Sequence, residues 1–72
     1  MSFDKGQHVE IVDWESVNND ELLEDRAKDI IGLNQFKGEV TKIENDIYFV
    51  GFKNDLGWVT QGFKSNEIKG VK

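Results

Sequence analysis

His8 is the single histidine of the chain, and cysteine is absent. A nucleophile–base site needs a serine, threonine or cysteine beside a base, and one histidine on an alternating stretch does not supply that arrangement. Carboxyl groups are abundant, but their spacing predicts a solvated helix without the apolar pocket that catalytic carboxyl groups use. We therefore predict that the protein is not an enzyme and has neither catalytic residues nor a cofactor.

Oxygen-bearing side chains that could ligate calcium cluster in the first third of the chain: Asp13, Glu15, Asn18, Asn19, Asp20 and Glu21. The cluster lacks the alternating ligand spacing and the glycine of an EF-hand loop. A zinc site is also excluded, because one histidine without cysteine cannot complete it. We expect no metal here, and we interpret these residues as a helix cap followed by exposed acids.

Charge is distributed unevenly along the chain. Residues 10–29, which we call the acidic segment, carry eight acids against Arg26 and Lys28, a local sum of −6. The residues from Lys37 onward carry six lysines and five acids, a sum of +1. We expect the acidic segment to give one end of the molecule a negative field that attracts a partner protein with a basic surface. The alternative is a solvated face that keeps a small protein soluble.

Exposed aromatic side chains often anchor protein interfaces, and the two tryptophans are candidates. Whether Trp14 and Trp58 are core or surface residues stays open at this point. The predicted partner-binding set combines four acids with three aromatic residues: Asp20, Glu21, Glu24, Asp25, Trp14, Phe49 and Trp58.

Residues 36–52 contain the strongest structural signal. Two stretches rich in β-branched and aromatic residues flank Glu44-Asn45-Asp46, a polar link typical of a β-hairpin. In the second stretch we expect Tyr48, Val50 and Phe52 to point into the core. The opposite face, Ile47, Phe49 and Gly51, is also apolar, which predicts a strand covered on both sides. The alternation of the first stretch breaks near Thr41-Lys42 and predicts a bulge.

Residues 18–31 have helical spacing instead, with apolar side chains at Leu22, Leu23, Ala27, Ile30 and Ile31. Asn18 is the predicted N-cap, Glu21 completes a capping box, and Gly32 is the predicted C-terminal stop. Acids four residues apart repel one another, so we expect this helix to need docking on the sheet near Trp14 or Phe49.

Shorter segments complete the predicted fold. Residues 7–14 alternate and predict a first strand with Val9 and Ile11 in the core. Residues 58–60 predict a fourth strand, residues 62–66 a helical turn, and residues 67–69 a closing strand.

Three motifs resemble those of Src-homology-3-like (SH3-like) barrels: Gly38-Glu39-Val40-Thr41-Lys42-Ile43, Tyr48-Phe49-Val50-Gly51-Phe52, and Gly57-Trp58-Val59 followed by Phe63-Lys64-Ser65-Asn66-Glu67-Ile68. The same pattern is similar to KOW-type barrels, to the small photosystem I accessory subunit, and to short bacterial and phage-encoded proteins of unknown role. The resemblance implies a mainly β, five-stranded barrel in a single domain over residues 1–72, with the helix inserted in the long loop after the first strand.

The resemblance does not extend to proline-rich peptide binding. Domains with that activity have an Ala-Leu-Tyr-Asp-Tyr-like first strand, where this chain has His8-Val9-Glu10-Ile11-Val12. The predicted function is a non-enzymatic protein-interaction or regulatory module.

Two alternatives involve nucleic acid. In the first, the acidic helix imitates a phosphate backbone and inhibits a DNA- or RNA-binding protein, as a phage inhibitor would. In the second, the lysine-bearing strands bind nucleic acid directly through Lys37, Lys42, Lys53, Lys64 and Lys69, which we rank last because the net charge of −5 repels phosphate. No apolar stretch approaches the ~20 residues of a membrane span, and we expect a cytoplasmic protein.

Overall fold

The computed structural model describes residues 3–19 and 21–71, without the side chain of Ser16. The elements in chain order are strand β1 (His8–Ile11), helix α1 (Trp14–Asn18), helix α2 (Asp25–Leu33), strands β2 (Lys37–Glu44), β3 (Ile47–Asn54) and β4 (Gly57–Lys64), a 3₁₀ turn (Ser65–Glu67) and strand β5 (Ile68–Gly70). The five strands form one antiparallel sheet in the order β4-β3-β2-β1-β5. The predicted mainly β fold with a helical excursion after the first strand is confirmed.

The β2–β3 hairpin forms where the sequence predicts it. Asn45 and Asp46 have φ angles of 51° and 66°, the left-handed conformation that a two-residue hairpin turn requires and that Asn and Asp tolerate. The register shifts between Val40 and Lys42, so the predicted bulge is confirmed. It bends β2, whose first residues pair with β1 and whose later residues pair with β3.

The predicted closure of the sheet into a barrel is wrong. The strand pairs among the described residues leave β4 and β5 as the two ends of the sheet. The physical reason lies in the last turn and strand. The 3₁₀ turn redirects the chain as soon as β4 ends, and the three residues of β5 pair with β1 instead of β4.

The core lies on the inner face of the curled sheet, where Tyr48, Val50 and Phe52 are 8%, 0% and 1% exposed. Val9 and Ile11 are buried with them, so the inward orientation of all five side chains is confirmed. The other buried side chains among the described residues are Phe3, Val17, Ile30, Ile31, Val40, Phe63 and Ile68.

The outer face of β3 differs from the prediction. Ile47, Phe49 and Gly51 are only partly buried, so this strand is not covered on both sides. The pairing of β3 with strands on both of its edges supplies that partial burial, without a second layer.

The helical region is corrected most. In place of one helix over residues 18–31, α1 ends at Asn18 and α2 begins at Asp25. The Asp13 carboxylate accepts a hydrogen bond from the Glu15 amide at 3.1 Å and caps α1, which ends β1 early and places Trp14 in a helix. A continuous helix would have placed Glu21 four residues before Asp25, and the break avoids that pair, whereas Asp25 and Asp29 remain four residues apart in α2.

The predicted caps are also wrong. Asn18 is the last residue of α1, and its carbonyl oxygen accepts a hydrogen bond from Lys28 Nζ at 2.7 Å. Helix α2 passes through Gly32 to Leu33. The chain then turns at Gln35 and Phe36, whose φ angles are 57° and 61°, and the Phe36 carbonyl accepts from the Ile11 amide at 2.8 Å.

Helix α2 docks on β3 and β4, and the hydrogen bonds of Arg26 and Asn34 and of the Ile30 carbonyl reach Leu56, Lys53 and Asn54. Ile30 and Ile31 are 2% and 0% exposed, whereas Leu22, predicted on the same apolar face, is 95% exposed because it precedes the helix.

The last third of the chain keeps the predicted order with different bounds. Strand β4 has eight residues and the helical turn follows it. No helix within residues 3–19 and 21–71 is long and apolar enough to cross a membrane.

Candidate functional site

Trp58 is the large apolar side chain that the sheet leaves most open to solvent. It lies in β4 opposite Lys53 of β3, on the outer face, and it is 74% exposed. Burying an indole contributes more than burying most side chains, and tryptophan is enriched among residues that dominate interface energies. Trp58 is therefore a surface residue, which the sequence alone left open.

The turn that carries Trp58 is fixed to α2 by hydrogen bonds. Asn54 Nδ2 donates to the Ile30 carbonyl oxygen at 2.8 Å and to Asn34 Oδ1 at 2.9 Å. Asn54 Oδ1 accepts from the Leu56 amide at 2.9 Å, and Arg26 Nη2 donates to the Leu56 carbonyl oxygen at 2.8 Å. We call this set the asparagine clasp. It ties the carbonyl end of the helix to the β3–β4 turn and so fixes the backbone next to Trp58.

Sequence reasoning missed the clasp residues Arg26, Asn34 and Asn54. Asn54 stood in a recognisable turn, which gave a reason for its residue type but no indication of a partner twenty-four positions away. Hydrogen bonds across such separations leave no periodic signal in the sequence.

A cleft opens between α2 and β4, with Trp58 as one wall. Glu24, Arg26, Ala27, Ile30, Gly57 and Val59 line the rest of this α2–β4 cleft. Its volume of about 330 Å³ lies at the small end of the range for ligand pockets, about 300–1,000 Å³. Ala27, Ile30 and Val59 give it an apolar floor, and Glu24 supplies a carboxylate at its rim.

The structure brings Glu24 and Trp58 of the predicted partner-binding set together in this cleft. Glu21 and Asp25 are exposed near the start of α2 but do not line the cleft. Glu24 is the N-cap of α2 and Asp25 lies in its first turn, where the helix dipole favours negative charge. Asp20 lies outside the described residues.

The other two aromatic residues of that set lie elsewhere. Trp14 is 49% exposed and packs against Phe36 with ring centroids 6.2 Å apart. Phe49 is partly buried on the outer face of β3, with Lys42 Nζ 5.8 Å from its ring centroid. Neither residue lines the α2–β4 cleft, so the predicted continuous patch of three aromatics does not form.

The outer face of the sheet carries lysines from four strands, Lys37, Lys42, Lys53, Lys64 and Lys69, and three strand carboxylates. Each of these carboxylates has a basic neighbour: Glu10 lies 3.8 Å from Lys69, Glu39 3.3 Å from His8, and Glu44 2.8 Å from Lys42.

The hydrogen bond and the positive charge from Lys42 lower the pKa of Glu44. Within the part of the chain that the structure describes, no group of three or more histidine, aspartate or glutamate side chains is placed to hold a metal ion.

Comparison of the chain with protein-family models, curated proteins and solved structures gives no match.

Proposed function

We propose that this protein is a non-enzymatic interaction module that binds a partner protein with a basic surface, and that Trp58 is the centre of the contact. The observation that carries the proposal is the 74% exposure of Trp58 at the wall of a cleft that also holds Glu24. An indole and a carboxylate in one cleft suit a lysine or arginine side chain, which can lie over the ring and pair with the acid.

The supporting features are the clasp and the field of the acidic segment. Because hydrogen bonds hold the turn before Trp58, little backbone ordering is needed on binding, which lowers the entropic cost of association. The local sum of −6 over residues 10–29 increases the association rate of a basic partner. Arg26 also lines the cleft, and its hydrogen bond to Leu56 directs it towards the turn.

The finer fold assignment is part of the same proposal. An SH3-like arrangement is supported by the strand order β4-β3-β2-β1-β5, by the helical excursion between β1 and β2, and by the 3₁₀ turn before β5. In this arrangement the excursion and the β3–β4 turn meet at one end of the molecule, where the α2–β4 cleft lies.

Photo-crosslinking tests the proposed function. A benzophenone amino acid replaces Trp58 in one variant and Asp46 in a control variant, and both are expressed in the source cell. We expect a basic protein to crosslink to position 58 and not to position 46. The triple change Glu21→Lys, Glu24→Lys and Asp25→Lys should abolish that crosslink. Equal crosslinking at both positions, or a product that survives the triple change, would contradict the proposal.

Affinity measurements with the captured partner give the contribution of Trp58 to the binding free energy. Trp58→Ala should weaken binding by about 2 kcal/mol or more if Trp58 is a hot spot. The matched control is Leu56→Ala, a 44% exposed residue in the turn that precedes β4. Binding that weakens with salt and is displaced by duplex DNA would instead favour the nucleic-acid mimic.

A further inference from the structure

We infer that the outer face of the sheet carries a second binding site, which takes single-stranded nucleic acid. The site is a shallow trough across the strands, formed by two adjoining grooves that share Glu39, Gly51 and Lys53. Lys37 lines one groove, and Trp58 and Thr60 line the other. We call these six residues the outer trough.

The strand register explains why a trough forms here. His8, Glu39, Gly51 and Thr60 are successive cross-strand partners from β1 to β4, so they form one row on the outer face. Gly51 has no side chain, and the row therefore dips at β3. The Thr41 side chain also lines this groove and packs beside the glycine, because a Cβ at position 51 would lie 3.0 Å from Thr41 Cγ2.

The charges that line the trough favour an anion. Among the described residues Lys37, Lys53 and the carboxylate Glu39 line the trough, a sum of +1 with His8 counted as neutral. Lys37 and Lys53 form no ion pair within residues 3–19 and 21–71, and both ammonium groups are available to phosphate. Two acids of the acidic segment lie near the trough and oppose this attraction: Glu10 is the cross-strand partner of Lys37 and pairs with Lys69, and Glu24 lines the α2–β4 cleft with Trp58. Exposed acids farther away than about 8 Å are screened at physiological salt.

Trp58 distinguishes nucleic acid from other anions. It is 74% exposed and stands beside Lys53, its cross-strand partner. A positively charged groove with an aromatic side chain on which a base can stack is the arrangement by which proteins bind single strands without sequence preference. Poly-glutamate could pair with the two lysines but has no flat ring to stack on the indole. The bases of a duplex are already stacked on one another and do not offer a free face to the Trp58 ring.

This site shares Trp58 with the proposed partner contact, but the two can be distinguished because the predicted effects of the acidic residues have opposite signs. Replacing Glu21, Glu24 and Asp25 by lysine should abolish binding of a basic protein. The same change should leave oligonucleotide binding at least as tight, since it removes charges that repel phosphate.

The test is the fluorescence anisotropy of a labelled oligothymidylate of about ten nucleotides, a length within the site sizes of single-strand binders. At low salt we expect saturable binding to the full chain. If two phosphates are neutralised, log K should fall with log salt with a slope of about −1.4. The double variant Lys37→Gln/Lys53→Gln should lose at least about tenfold in affinity and most of that slope. Lys5→Gln, an exposed lysine outside the trough, is the matched control and should change neither.

A second pair of measurements isolates the role of the ring. Trp58→Ala should weaken binding of the oligothymidylate at least about fivefold and should leave binding of an abasic oligonucleotide of equal length unchanged. All substituted side chains are exposed, and far-UV circular dichroism checks that each variant is folded. Three results would overturn the inference. They are no rise in anisotropy at low salt, equal affinity for poly-glutamate or duplex DNA, and a loss of affinity in Lys5→Gln equal to that in the double lysine variant.

Discussion

Strand β3 and the helical region after β1 both carry apolar side chains at regular spacing, yet they use them differently. In β3 the predicted inward residues are all buried, from 8% exposed at Tyr48 to 0% at Val50. In the helical region the predicted apolar face divides, with Ile31 at 0% exposed and Leu22 at 95%. A strand paired on both edges places every second side chain on the inner face of the sheet. A helical segment buries only the side chains of those turns that contact the sheet.

The difference also separates the charges. The strands hold exposed lysines on the outer face, and the helical region holds seven of the fourteen acids in a segment anchored by Val17 at one end and by Ile30 and Ile31 at the other. A small domain can thereby present two surfaces of opposite sign. The clasp joins them, because it connects α2 with the turn that carries Trp58.

The largest expected effect tests whether Ile31 and Leu22 differ in burial, by replacing each with alanine. Ile31→Ala removes a fully buried side chain and should lower the free energy of unfolding by about 2–5 kcal/mol. Leu22→Ala should change it by less than about 0.5 kcal/mol, because the side chain is 95% exposed. Urea denaturation followed by far-UV circular dichroism measures both. Equal losses would mean that residues 18–31 dock as one helix after all.

The clasp gives the next largest effect. Asn54→Ala removes three hydrogen bonds, those to the Ile30 carbonyl and Asn34 Oδ1 and that from the Leu56 amide. The Ile30 carbonyl keeps its bond from the Asn34 amide, and the loss should destabilise the fold by about 1–3 kcal/mol. Amide hydrogen exchange should show the loss first at the end of α2 and in the β3–β4 turn. Asn66→Ala, at an exposed position in the 3₁₀ turn, is the control. Unchanged exchange in α2 would show that the clasp does not hold the helix.

Alanine substitution should change the stability of the protein with opposite signs at Gly32 in α2 and at Gly38 in β2. At Gly32, inside α2, an added Cβ meets nothing within 4 Å, so Gly32→Ala should stabilise the protein by about 0.4–1 kcal/mol through helix propensity. At Gly38 the added Cβ would lie 2.6 Å from the Gly51 carbonyl oxygen and 2.7 Å from Val50 Cγ1, so Gly38→Ala should lower the melting temperature. Thermal unfolding compares the two, and a loss of stability at Gly32 would contradict the assigned helix bounds.

The smallest expected effect concerns the Lys42–Glu44 pair on the outer face. Because Lys42 lowers the pKa of Glu44, Lys42→Gln should return that pKa towards its ordinary value, whereas Lys42→Arg should keep it low. Stabilisation by the pair is present above the ordinary carboxyl pKa and is lost as the pH falls through the lowered pKa. Both partners are more than half exposed, so solvent screening keeps this contribution small. Side-chain carboxyl NMR titration is the measurement, and an unchanged Glu44 pKa in Lys42→Gln would contradict the assigned cause.

The sequence alone determined the features that depend on neighbouring residues. The alternation around Tyr48, Val50 and Phe52 determined which side of β3 faces the core, because side chains of a strand alternate strictly. The hairpin turn followed from Asn45 and Asp46, which tolerate left-handed backbone angles.

Only the tertiary structure decided where the acidic segment breaks, which of its apolar residues are buried, and that Trp58 is exposed beside Glu24. These outcomes depend on contacts between distant residues, such as Asn54 with Ile30 and Lys28 with Asn18. Such contacts form only when the sheet brings their elements together, and no local pattern encodes them.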